Sequence, residues 1–275
     1  MMRKWGALIV IIAAAACTPL AEQPHTNAQW QACNGEVFSP DRGGACSAVI
    51  ADNAATPERR AIAFVERGRL RTELGQNGRA IADFGRALRL NPRLADALVG
   101  RASVHANRGA YDDALRDFDA ALVLAPHNPA AVRGRDIALQ GRIDAVAAQI
   151  AALTDALAEN PRDAGLLNNR CWVRAVAGRE LDIALADCNA SLLVQPNNAN
   201  TLDSRALVHL KRGALDDALR DYNAALAIEP NSGHYLYGRG LVRRALGLNV
   251  EAEADFAAGE RAQPGVAEMY RTYGI

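Results

Sequence analysis

Prolines at Pro92, Pro126, Pro161, Pro196, Pro230 and Pro264 recur at intervals of 34, 35, 35, 34 and 34 residues. A period of that size decides the architecture before any local propensity is weighed. Each unit of such an array is one supersecondary element that buries its apolar face only against its neighbours. Related strings precede the prolines: AIADFGRALRLNP, ALRDFDAALVLAP, ALADCNASLLVQP, ALRDYNAALAIEP and EADFAAGERAQP. The chain divides into repeats at 61–94, 95–128, 129–163, 164–198, 199–232 and 233–266, the third being Ala-rich over 144–159 with no clear aromatic. That third repeat either packs loosely or bends the array.

Counting positions within each repeat explains the pattern. Gly68, Ala102, Ala206 and Gly240 hold position 8, and Ala80, Ala114, Ala184, Ala218 and Ala252 hold position 20, the count in repeat 4 passing over one extra residue in its turn at Arg179–Glu180–Leu181. At 3.6 residues per turn, positions 4, 8 and 11 share one stripe of a first helix and positions 20, 24 and 27 one stripe of a second. Small residues at 8 and 20 let the two backbones approach, and an aromatic at 24 fills the remaining gap. Gly75, Gly109, Gly178, Gly213 and Gly247 end the first helices, and each proline ends a second.

The strings resemble the second helix of the tetratricopeptide repeat. ERGRL, GRASV, SRALV and GRGLV resemble part of its first helix, although Phe64, Leu98, Val132, Leu167, Leu202 and Leu236 stand where the family usually has Trp. The resemblance implies an all-α fold, a right-handed α-solenoid of about six helix-turn-helix repeats over 58–275. A short N-terminal helix at 39–52 and a capping helix at 267–273 complete it. It also implies a scaffold that binds a protein or peptide in a concave groove.

Residues 1–16 are set aside as a signal peptide, because Arg3 and Lys4 precede the apolar run 5–16 and small residues Ala14 to Ala16 close it. Cys17 resembles the lipid-bearing cysteine of bacterial lipoproteins, with Ala14 in the place of the usual Leu. The alternative is simple cleavage that leaves a free thiol. Lipidation implies a periplasmic location with a lipid anchor in the outer membrane, since Thr18 and no acidic residue follows. It also leaves an even set, Cys33, Cys46, Cys171 and Cys188, which in an exported chain points to two disulfides. Cys171 at position 8 and Cys188 at position 24 face each other across a hairpin, as a disulfide or as two buried thiols. Cys33 and Cys46 then pair within the segment 17–57.

Lys+Arg and Asp+Glu both number 31, so no basic stripe speaks for nucleic acid. No G-x-S-x-G, H-E-x-x-H or P-loop occurs, two cysteines with no third ligand do not make a metal site, and no cofactor is implied. The expectation is a protein with no catalysis of its own. Arg67, Arg101, Arg170, Arg205 and Arg239 at position 7 face Asp83, Asp117, Asp187, Asp221 and Asp255 at position 23, predicting half-buried ion pairs across each hairpin. His105 and His209, both at position 11, are read as core or half-core residues.

By the same resemblance, positions 2, 5, 9 and 12 line the groove. In the C-terminal half Asn168, Trp172, Asp203, Leu207, Tyr237 and Arg244 join aromatic anchors to a few polar groups, and are the candidate partner-binding residues. The bland alternative is that Trp172 and Tyr237 only pack between helices. A protein of the cell envelope is the expected partner. The rival is a glycan, or an enzyme of the cell wall or of polysaccharides, because Trp172, Tyr237, Asn168 and Asp203 also suit a sugar site.

Overall fold

A computed structural model describes the chain from Pro24 to Ile275. The expected signal peptide and Cys17 lie outside the described residues. Within them every regular element is helical: α1 (Pro24–Asn34), α2 (Arg42–Ala51), α3 (Pro57–Glu73), α4 (Asn77–Leu90), α5 (Ala95–Asn107), α6 (Tyr111–Leu124), α7 (Pro129–Glu159), α8 (Ala164–Ala177), α9 (Leu181–Val194), α10 (Ala199–Lys211), α11 (Leu215–Ile228), α12 (Gly233–Ala245), α13 (Asn249–Ala262) and α14 (Val266–Thr272). The helices form two compact units. One runs to Arg108 and takes in Arg116–Gly134, and the other comprises Gly109–Leu115 and Arg135–Ile275.

Repeats 1, 2, 4, 5 and 6 are helix pairs, and each turns at a glycine in the left-handed region: Gly75, Gly109, Gly178, Gly213 and Gly247, with φ between 64° and 81°. Repeat 3 departs from the expected pair. It is one 31-residue helix, α7, about 46 Å long at 1.5 Å per residue. Ile143 stands at its position 15, where the other five repeats have the glycine. A β-branched residue resists the left-handed conformation, so the helix continues through the place of the turn. The expected six helix pairs are therefore five.

The seam obeys a stricter rule than small residues at 8 and 20. Phe84 at position 24 lies so close to Gly68 at position 8 of its own repeat and Gly100 at position 6 of the next that a Cβ on either would fall 2.8 or 2.5 Å from its ring. Phe118 meets Gly134 and Tyr222 meets Gly238 in the same way. Each of these three rings thus needs a glycine in the following helix. Repeat 4 has Cys188 in place of the ring, and the next position 6 is Ser204, which is fully packed at 2% exposure.

Cys171 and Cys188 are disulfide-bonded with Cα atoms 5.5 Å apart, and Cys33 and Cys46 with Cα atoms 4.7 Å apart. The first bond sits in a cluster with Ala175, Ala184, Leu207 and Val208. The second closes α1 on α2, with Trp30 and Ala63 against it.

All five position-7 arginines grip their position-23 aspartates with two parallel N–H···O bonds, at 2.7–2.9 Å. The same arginines also reach back to the preceding element: Arg205 to Asn189, Arg239 to Asn223 and Arg67 to Ser47. Position 7 therefore sets register both within and between hairpins. A second cation joins from position 11, where Arg71, Arg174 and Arg243 bond Asp83, Asp187 and Asp255. His209 is that cation's counterpart in repeat 5, its Nε2 3.8 Å from Asp221. Burial pushes the His209 imidazole below its ordinary pKa, against the pull of Asp221.

Candidate functional site

The groove-facing residues of α8, α10 and α12 are largely covered by the chain's own C-terminus. In α14, Tyr270 stacks on His234 with centroids 4.7 Å apart and on Tyr237 at 5.3 Å. Its hydroxyl donates to the His234 carbonyl at 3.1 Å and lies 3.4 Å from the Tyr222 hydroxyl. Tyr273, just beyond α14, meets the Trp172 indole edge-on at 5.3 Å. Lys211 donates to the carbonyls of Val176 at 2.8 Å and Tyr273 at 2.6 Å, so one ammonium caps the C-terminal ends of α8 and α14. Burial lowers the Lys211 pKa and raises those of Tyr270 and Tyr222 well above the usual phenol value.

This arrangement redistributes the six candidate residues. Leu207 is fully buried against the Cys171–Cys188 cluster and is removed from the candidate surface. Tyr237 is sandwiched between Phe256 and Tyr270, so its role is to seat α14. Arg244 is exposed and lies over the Phe256 ring at 4.9 Å. Asn168, Trp172 and Asp203 remain together, lining one cleft of about 470 Å³ with Asn169, Asn200 and Glu229. Trp172 also lines a second cleft of about 470 Å³, with Arg142, Arg179, Lys211 and Tyr273. A third, beside Ala152, Leu153 and Asn169, holds about 340 Å³.

Trp172 is thus the common wall of three adjoining depressions of unlike charge. The first is lined by Asp203 and Glu229 with no lysine or arginine. The second presents Arg142, Arg179 and Lys211 against one acid, Asp112, which Arg142 meets at 3.2 Å. Asp203 is 5% exposed, and burial raises its carboxyl pKa although His234 Nδ1 lies 3.2 Å away. Among the described residues no three His, Cys, Asp or Glu side chains gather as a metal would require, and no helix is long and apolar enough to cross a membrane.

A family model described as tetratricopeptide repeat matches residues 65–129 and 204–267, the two stretches where ring, glycine and ion pair recur most regularly. Those two stretches are tetratricopeptide repeats. Helix pairs of this family generally form non-catalytic scaffolds for protein or peptide partners. No curated protein matches. Similar solved structures include a tetratricopeptide repeat protein from Parabacteroides merdae ATCC 43184, at 16% identity and TM-score 0.41 over 91% of this chain and 100% of that one. YrrB, described as a tetratricopeptide repeat protein with an unusual peptide-binding site, is 17% identical at TM-score 0.35 over 83% and 98%. MamA is 15% identical at TM-score 0.35 over 76% and 94%.

Sequence reasoning placed Trp172, Asn168 and Asp203 on one tetratricopeptide face but missed His234, Lys211, Tyr270 and Tyr273 as its companions. The signal for the last two was present. Met269, Tyr270 and Tyr273 fall at spacings that share one helix face, so the short terminal helix carried an aromatic stripe that had to be buried somewhere.

Proposed function

We propose that this tetratricopeptide repeat protein is an exported, non-catalytic scaffold of the bacterial envelope that holds a partner protein segment across Trp172. The observation that carries it is the convergence of an acidic and a basic cleft on one half-buried indole. An aromatic anchor flanked by opposite charges fixes both the position and the direction of a bound segment. The export reading is supported by the leader-like residues 1–16 and by two disulfides, which persist in oxidising compartments. Lipid on Cys17 would hold the scaffold at the outer membrane, with a role in envelope assembly or secretion. A second reading, a glycan or a cell-wall enzyme as the ligand, draws on the amides Asn168, Asn169 and Asn200 around the same indole.

Asn169 is exposed and lines two of the clefts, so Asn169→Arg obstructs the site without touching the core. Affinity capture from solubilised envelopes should recover a partner protein with the parent chain and lose it with Asn169→Arg at unchanged melting temperature. Equal recovery by both would contradict the proposal, and elution of polysaccharide alone would favour the second reading.

A further inference from the structure

The acidic cleft contains two buried acceptors that take no hydrogen bond within the chain. Asp203 is 5% exposed, and its Oδ1 has no hydrogen-bond partner although His234 Nδ1 lies 3.2 Å away. Asn168 Oδ1 is also buried without a partner and lines the same cleft. Leaving a buried acceptor without a donor costs about 1–3 kcal/mol, and more when it is charged. The chain treats its other buried aspartates quite differently. Asp187 and Asp255 each bond two arginines, and Asp83 bonds three. Asp203 bonds none, and Glu229 adds a second carboxylate to a cleft lined by no lysine or arginine. The basic neighbour of Asp203 is the His234 imidazole, charged only when protonated, so the cleft lining holds no permanent cation.

We infer that the cleft receives an arginine side chain of the partner segment, its guanidinium donating to Asp203 and Asn168 while its plane lies against Trp172. This deepens the scaffold reading and rests on it. Asn168 and Asp203 occupy the same position, the fifth, on the neighbouring helices α8 and α10, and both line the cleft. A planar fork with several N–H groups can serve two such acceptors together, whereas an ammonium is a point charge. Indole is also the ring that attracts a cation most strongly. Burial raises the Asp203 pKa against the pull of His234, and a permanent cation beside it would favour the ionised form. A neutral sugar would supply hydroxyl donors but leave both carboxylates uncompensated.

The test uses the full chain and follows the assigned Trp172 indole N–H by NMR. The probes are an acetylated, amidated Ala-Ala-Arg-Ala-Ala peptide, the same peptide with citrulline for arginine, and an oligomer of N-acetylglucosamine. The arginine peptide should give a saturable shift, and the isosteric but neutral citrulline peptide should bind at least about tenfold more weakly. Asp203→Asn should abolish that preference while melting at the same temperature or higher, because it removes an uncompensated buried charge. Equal binding of the two peptides, no saturable shift with arginine, an unchanged preference in Asp203→Asn, or a response to the sugar alone would each overturn the inference. If Asp203→Asn still captures the partner that Asn169→Arg loses, the arginine seat falls and the scaffold stands.

Discussion

Asp187→Ala should lower the unfolding free energy by about 3–5 kcal/mol, the cost of removing one member of a buried ion pair. Its carboxylate takes two bonds from Arg170 and one from Arg174, whose side chains are 17% and 8% exposed. Alanine leaves both guanidiniums in the seam between α8 and α9. Arg174 retains Glu180, and Arg170 retains only the Thr154 hydroxyl. Asp221→Ala in the next repeat removes the same bidentate bond but strands one arginine, because position 11 there is His209, which can remain neutral. It should cost about 1–2 kcal/mol less than Asp187→Ala. Urea unfolding at neutral pH measures both. A loss below about 1 kcal/mol for Asp187→Ala, or the reverse order, would contradict the register role of these pairs.

Losing the Cys171–Cys188 bond should cost about 3 kcal/mol, given the 17-residue separation it closes. The seam rule makes a sharper prediction about repair. Cys171→Ala with Cys188→Phe restores the residue types of the other repeats, yet it should remain destabilised because Ser204 occupies the place that Gly100, Gly134 and Gly238 keep open for a ring. Adding Ser204→Gly should recover at least half of the loss. Thermal melts with and without reductant decide it: reductant lowers the parent's melting temperature more than that of the triple variant. No recovery on adding Ser204→Gly would refute the rule.

Much of this architecture was legible because it repeats. Five glycines at position 15, five Arg–Asp pairs and the cysteines at positions 8 and 24 are local signals seen several times over, and each has one steric or electrostatic cause. The single helix α7 was legible in principle, since Ile143 replaces the glycine. The proline period runs on through Pro161 and concealed it. The site was only half legible. Position within a repeat identifies a face, but not what covers that face. Tyr270 and Tyr273 reach Trp172, His234 and Tyr237 from a terminal helix whose docking depends on contacts far away in sequence. The missing donors of Asp203 and Asn168 are likewise a property of packed side chains, not of spacing.

The central claim, that partners are held where unlike clefts meet at Trp172, is tested most directly by a photo-crosslinking residue placed at Asn169. A control belongs at Val250, which is 82% exposed on α13. Irradiation in intact envelopes should yield a discrete protein adduct from position 169 and none from 250. Adducts of equal yield from both positions, or none from 169, would contradict it.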